Sequence, residues 1–323
     1  MDPTDSVAAV SAIEVADLHK HYGDNHAVDG VSFGVREGEV YALLGSNGAG
    51  KSTIVEILEG HRQATSGSVQ VLGMDPARGD REFRDRIGVV LQSSGLESEF
   101  TVREIIEMYA SCYRSPRSLD EVVDLAGLDE KVDARVGSLS GGQKRRVDLA
   151  LGIVGSPEML FLDEPTTGFD PAARRRSWDL VESLGAGGTT VLLTTHYLDE
   201  AEHLADRVGV LAGGRLIAEG TPAELINRVS GTVVSFMLPE AVELSEASST
   251  FTELLASPVS ISGRRIEATI DEPTRAVHTL TGWALDAGIE LDSLSVKRAS
   301  LEDVYLQLSA DAARTDGGAA DGE

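Results

Sequence analysis

The sequence predicts an α/β fold in two parts, a larger mixed-sheet domain with a helical insert and a smaller α/β unit that follows it. Three observations carry this prediction. Glu39–Leu44 reads as a short apolar strand, and the apolar runs Met159–Leu162 and Thr190–Leu193, bounded by turn residues, have the pattern of parallel strands covered on both faces. The first run leads through a glycine-rich loop, Gly45–Gly50, into a helically spaced stretch, Lys51–Glu59. Beyond about Thr232 the texture changes to shorter alternating segments, which marks a second unit.

Taken in order, the alternation from Ile13 to Val35 around Gly23-Asp24-Asn25 predicts an antiparallel β opening. The strand, loop and helix of residues 39–59 come next. An apolar stretch, Ile87–Leu91, precedes three helically spaced segments, Val102–Tyr113, Leu119–Ala126 and Gly142–Val154, which form the insert. With the two later strands, everything up to about Thr221 reads as one α/β domain. The second unit reads as strand Val233–Leu238, helix Ser248–Leu255, hairpin Val259–Ile270, helix Arg275–Ala287 and strand Leu291–Val296, a split βαβ pattern closed by a helix over Leu301–Leu308. The expected boundaries are therefore a flexible N-terminus at 1–12, a first domain at 13–224, an accessory domain at 225–310 and a disordered acidic tail at 311–323.

Composition excludes several classes of function. With 41% hydrophobic residues in 323, the chain can bury a sizeable core. Its net charge of -25, from 53 acidic against 28 basic residues, repels a phosphate backbone and argues against a nucleic-acid partner. Any phosphate must then be met by a dedicated local site. Cys112 is the only cysteine, which leaves no intramolecular disulfide or cysteine-based zinc cluster and fits a reducing compartment. The N-terminus, with Asp2 and Asp5, lacks the pattern of a secretory signal. No apolar run approaches the roughly 18 residues of a membrane span, so a membrane role requires spans supplied by a partner.

Gly45-Ser46-Asn47-Gly48-Ala49-Gly50-Lys51-Ser52-Thr53 has the pattern of a phosphate-binding loop, in which successive backbone N–H groups close around a polyphosphate at a helix N-terminus. Lys51 is the residue to reach the β and γ phosphates, and Ser52, first on the helix, the one to ligate a bridging Mg²⁺. Met159–Leu162 ends in Asp163-Glu164, which delivers two carboxylates to the sheet edge where the loop opens. Asp163 is placed to hold Mg²⁺ through water, and Glu164 to act as general base for an attacking water. Leu139-Ser140-Gly141-Gly142-Gln143 opens a helix with a second set of backbone donors. One polyphosphate already embraced by a loop has little need of a second in the same subunit, so this segment is best explained as acting in trans.

On these motifs the chain resembles the nucleotide-binding subunits of ATP-binding-cassette transporters over residues 13–221. The resemblance implies a P-loop NTPase cassette, with a mixed-sheet core, an antiparallel β subdomain and a helical subdomain, followed by a small C-terminal α/β extension. It implies ATP and Mg²⁺ as ligands, and a head-to-tail dimer in which the Ser140–Gln143 segment of one chain presses on ATP held by the other. It further implies that Tyr22 stacks on adenine and that Gln92 contacts Mg²⁺ and water and signals to the membrane subunit. His196 would be the switch histidine that orients the catalytic base, and Asp170 the aspartate that communicates across the dimer. Two positions depart from the family's usual pattern without removing a ligand or a charge: Ser46, where Pro is common, and Phe169, where Leu is common. Lys144, Arg145 and Arg146 put cations at the positive end of a helix dipole, which calls for a compensating task near phosphate or at the dimer interface, or else a solvated face.

The coupled task is a separate question from the motor fold. The sequence has no sustained heptads of the kind a chromosome-type ATPase would insert, and one loop and one signature rather than a translation factor's two cassettes. The segments around Gly88–Ser94 and Leu193–Glu202, and Ser300-Leu301-Glu302-Asp303-Val304-Tyr305, are similar to daunorubicin-resistance-type exporter motors. That similarity implies an ABC-2-type transmembrane permease as partner, a homodimer or pseudo-symmetric heterodimer of motor subunits, and a place on the cytoplasmic face of the membrane. An importer motor is the competing reading.

Overall fold

The structure is a computed structural model that describes residues 11–90, 95–228, 231–238, 244–298, 300–306 and 308. Gln92, the first ten residues and the tail at 311–323 lie outside the described residues. The chain divides into two compact units, up to Pro222 and from Ala223 onward.

In chain order the first unit contains β1 (Ser11–Tyr22), β2 (Asn25–Arg36), β3 (Val40–Gly45), α1 (Lys51–Leu58), β4 (Ser66–Val71), α2 (Arg81–Arg86) and β5 (Ile87–Val90). The helical insert follows as α3 (Val102–Ala110), α4 (Leu119–Ala126) and α5 (Gly141–Ile153). The unit closes with β6 (Met159–Asp163), α6 (Pro171–Ala186), β7 (Thr190–Thr195), α7 (Leu198–Leu204), β8 (Arg207–Ala212) and β9 (Arg215–Gly220). Helix α8 (Pro222–Arg228) begins at the boundary between the units.

Two sheets build this unit. The outer one is antiparallel, in the order β2-β1-β4, and its first two strands are joined by a turn of two residues, Gly23-Asp24. The central sheet has the order β5-β6-β7-β3-β8-β9, parallel throughout except for β9 at the edge. Every residue of β3 and β7 is buried, as expected of strands with helices on both faces. A core that includes Leu18, Val31, Leu43, Ile54, Leu58, Phe161 and Leu192 joins the two sheets through α1. Because β6, β7 and β3 are neighbours running the same way, the segments after Gly45, Asp163 and Thr195 all emerge at one edge.

The second unit runs β10 (Thr232–Met237), α9 (Leu244–Leu255), β11 (Val259–Ser262), β12 (Arg265–Ile270), α10 (Pro273–Asp286) and β13 (Ser295–Arg298). Its antiparallel sheet has the order β11-β12-β10-β13, the split βαβ arrangement expected from the sequence. Phe236, Phe251 and Trp283 pack edge to face, with ring centroids 5.0 and 5.1 Å apart, and centre its core. The last strand departs from expectation. Leu291–Leu294 is not strand: Ser293 has a left-handed φ of 56°, and the Asp292 carbonyl is drawn off to accept from the Met237 N–H, so pairing begins only at Ser295. Residues 301–306 are helical, with Leu301 and Val304 buried.

Candidate active site

The phosphate-type loop is shaped by its glycines. Gly50, the N-cap of α1, has φ 104°, and a Cβ there would lie 2.4 Å from the Ala27 carbonyl oxygen. Only glycine fits that approach of β2 to the loop. Gly48, at φ 84°, has open space where a side chain would be, and Ser46 and Asn47 are exposed, while Ala49 is buried. Lys51 is buried, and its Nζ donates to the carbonyls of Gly45 at 2.8 Å and Ser46 at 3.2 Å, which holds the ammonium against the loop. Ser52 is exposed and Thr53 half-buried on the first turn of α1. The first turn of α1 carries no acidic residue, which leaves the positive end of its dipole favourable to an anion.

At the end of β6, Asp163 accepts a hydrogen bond from Thr194 Oγ1 at 2.5 Å. Glu164 follows with φ 47°, in the left-handed region that a glutamate rarely adopts. Its N–H donates to both the carbonyl and the hydroxyl of Thr194, at 3.1 Å each, and this doubled anchor holds the strained backbone. The two carboxylate oxygens have separate partners. One oxygen, Oε2, accepts from Thr167 Oγ1 at 3.1 Å, and the other, Oε1, lies 3.2 Å from His196 Nδ1. His196 is partly exposed on the loop after β7, its ring tilted over that of Tyr197.

Among the remaining residues singled out from the sequence, Tyr22 is an exposed ring at the end of β1, with Lys20 Nζ and Arg62 5.1 and 5.4 Å from its centroid. Ser140 is the N-cap of α5: its Oγ accepts from the Gln143 N–H, and Gln143 Oε1 accepts from the Ser140 N–H, a full capping box. Open space surrounds the Cα atoms of Gly141 and Gly142, so the helix end presents bare backbone donors. Asp170 caps α6 ahead of Pro171, accepting from Ala172 and Ala173 N–H, and these bonds hold its carboxyl below the usual aspartate range.

The last two members of the basic run after Gln143, Arg145 and Arg146, take a task that neither expectation named. Arg145 is buried within its own chain, donating to the carbonyls of Pro165, Asp163 and Glu164 at 3.0 to 3.1 Å, with Asp148 at 3.8 Å. It ties the α5 signature helix to the turn carrying both carboxylates. Burial lowers its pKa, while Asp148, Asp163 and Glu164 oppose that shift. Arg146 donates to the Gly127 carbonyl, closing the end of α4. Sequence reading also missed Glu59, which is buried at the end of α1. Desolvation, with the nearby charges of Asp163 and Glu56, pushes its carboxyl up to about 8. Neither residue lies in a motif; both are defined by what packs against them.

The ABC transporter family profile matches residues 28–167, and a second, described as the C-terminal domain of ABC transporter domain-containing proteins, matches residues 232–300. The chain is 38% identical to the daunorubicin resistance ATP-binding protein DrrA3 of Streptomyces coeruleorubidus over 94% of its own length and 97% of the relative's. The chain belongs to the ABC transporter family, as an ATP-binding subunit. This ABC subunit is also 42% identical to the Nod factor export ATP-binding protein I of Rhizobium meliloti, over 92% of this chain and 88% of that one. Among solved structures it resembles the ATP-binding subunit of an ABC transporter at TM-score 0.62 and 28% identity, over 67% of this chain and 92% of that one. A dimeric cassette in a post-hydrolysis state with ADP and Pi aligns at TM-score 0.59 and 26% identity, over 65% and 98%. The ABC subunit is an ATP hydrolase, and no helix among its described residues is long and apolar enough to cross a membrane.

Proposed function

We propose that this ABC subunit is the motor of an exporter, working as an ATP-closed dimer on the cytoplasmic face of the membrane and driving a separate ABC-2-type permease. The observation that carries the catalytic part is the pairing of Glu164 with His196 at the edge where the phosphate loop also opens. The loop's N–H groups and Lys51 bind the β and γ phosphates, and Tyr22 offers its exposed face to adenine. The Ser52 hydroxyl and the Asp163 carboxylate are oxygen donors of the type Mg²⁺ takes, and Gln92 joins them by its place in the family pattern. Mg²⁺, when bound, neutralises charge on the β and γ oxygens.

In the hydrolytic step, the oxygen of a water forms a bond to the γ phosphorus while the bond to the ADP oxygen breaks. Glu164 Oε1 takes the proton of that water, and His196 holds the carboxylate in line. The open backbone donors of Gly141 and Gly142, held in place by the Ser140–Gln143 capping box whose hydroxyl and side-chain amide can also donate, stabilise the phosphate of the opposite subunit, and Asp170 takes the dimer-communicating role by its place in the family pattern.

The permease reading rests on the insert. Apart from Tyr22, every exposed large apolar side chain described in the first unit lies there: Phe100, Met108 and Tyr109. A cavity of about 490 Å³ beside them, lined by Tyr109, Tyr113, Val90 and Leu96 with Glu59 and Asp148, suits a short helix of a membrane partner. The relatives named for daunorubicin resistance and Nod factor export support the outward direction, and the net charge of -25 stands against a nucleic-acid partner.

The test is Glu164→Gln beside wild type. Phosphate release is expected to fall by roughly 100-fold or more, while Mg-ATP drives the variant into a dimer seen by light scattering. A variant that hydrolyses normally and stays monomeric would remove Glu164 from the base role and the dimer from the mechanism.

A further inference from the structure

The β1–β2 hairpin carries a second cluster of ligating groups, outside the residues used for nucleotide. Three of the chain's seven histidines fall within eight residues, at 19, 21 and 26. The strand register sets His19 opposite Asp29 and His21 opposite His26. One ring nitrogen each from His19 and His21 and one carboxylate oxygen of Asp29 lie within 4.8 Å of one another, all on half-buried residues. The His26 ring stacks on His21 with centroids 3.9 Å apart.

We propose that His19, His21 and Asp29 bind a divalent transition ion of the zinc class. The donor set of two imidazoles and one carboxylate is the kind that zinc, cobalt or nickel takes, in preference to magnesium or calcium. The groups behind the ligands are also those of a metal site. His19 turns Nδ1 to Asp29 Oδ1 at 3.3 Å, while its Nε2 lies 3.1 Å from Asp17 Oδ1, so a carboxylate backs the ligand ring. Arg215 binds Asp29 through Oδ2 at 2.7 Å, which leaves Oδ1 turned to the cluster and holds the carboxyl below its usual range. The Nε2 of His21 is buried and has no hydrogen-bond partner among the described residues. Such an orphan is costly in a finished polar network and is satisfied by a cation.

A tetrahedral ion with bonds of about 2.1 Å holds its ligand atoms roughly 3.4 Å apart, so the rings and carboxylate close by about an ångström on binding. The fourth position goes to water or to the exposed ring of His26. Occupancy fastens β1 to β2 one residue before Tyr22.

The test needs no nucleotide. The full chain, in millimolar Mg²⁺ to saturate oxygen-only sites, is titrated with Co²⁺ and followed by visible absorption, then competed with Zn²⁺. One saturable equivalent is expected, displaced by Zn²⁺, with affinity reduced about 100-fold in His19→Ala and His21→Ala and about 10-fold in Asp17→Asn. Zn²⁺ should also raise the thermal midpoint of the wild type and not that of His21→Ala. Absence of a saturable band in the wild type would show that the cluster is only an ion-pair network around His19. A band of unchanged affinity in both histidine variants would put the ion elsewhere; either result overturns the proposal.

Discussion

Replacing Glu59 by Gln tests the electrostatics beneath the active site. The Glu59 carboxyl is 1% exposed, its Oε1 is buried without a hydrogen-bond partner among the described residues, and its Oε2 lies 3.1 Å from His61 Nδ1. Burial beside Asp163 raises it from 4.5 to about 8. Below about 4.5 both folded and unfolded chains hold this proton, and stability does not depend on it. Between 4.5 and about 8 only the folded chain holds it, so stability falls as pH rises, by about 1.4 kcal/mol per pH unit, and levels off above that range. Glutamine keeps the volume and the hydrogen bonding of the neutral acid and cannot ionise. Between pH 5.5 and 7.5 the variant should therefore gain about 3 kcal/mol on the wild type, as an order of magnitude. Urea unfolding at both pH values measures this, in a Trp283→Phe background so that Trp178 reports the first unit alone. A difference between variant and wild type that stays flat over those two pH units would refute the claim that Glu59 is neutral in the fold.

Two further perturbations address the groups that hold the site together. Arg145→Ala strips three backbone carbonyls of their buried donor and leaves Asp148 without its cation, so a loss of about 3 to 5 kcal/mol is expected by denaturant unfolding; Arg145→Lys, without the planar fork, should restore only part of it. Gly50→Ala forces a Cβ against the Ala27 carbonyl at a φ of 104°, with an expected cost of about 1 to 3 kcal/mol and at least a tenfold weaker affinity for a fluorescent ATP analogue; unchanged binding would mean that the loop does not depend on this approach.

Features made by neighbours in the chain were legible in the sequence. The loop from Gly45 to Lys51 carries its own conformational requirements, and the Ser140–Gln143 segment was read as the opening of a helix, as found; the capping box there and the Asp170 cap, though equally local, were not read. Strand burial was legible too, because β3, β6 and β7 need unbroken apolar runs to sit between helices. Leu291–Leu294 was misread because apolar residues there mimic a strand, while a left-handed Ser293 and a carbonyl taken by Met237 break it.

What the tertiary structure alone decided is of another kind. Arg145 looked like a cation at the wrong end of a dipole until α5 packed it onto the turn after β6, 18 to 20 residues away. The left-handed Glu164 is held by Thr194, 30 residues on, and the charge state of Glu59 depends on Asp163, more than a hundred residues on. Local chemistry depends on spacing along the chain, which a sequence displays directly. A buried charge, a shifted proton or a strained carboxylate depends on which distant atoms exclude water from it, and only the packed fold determines that.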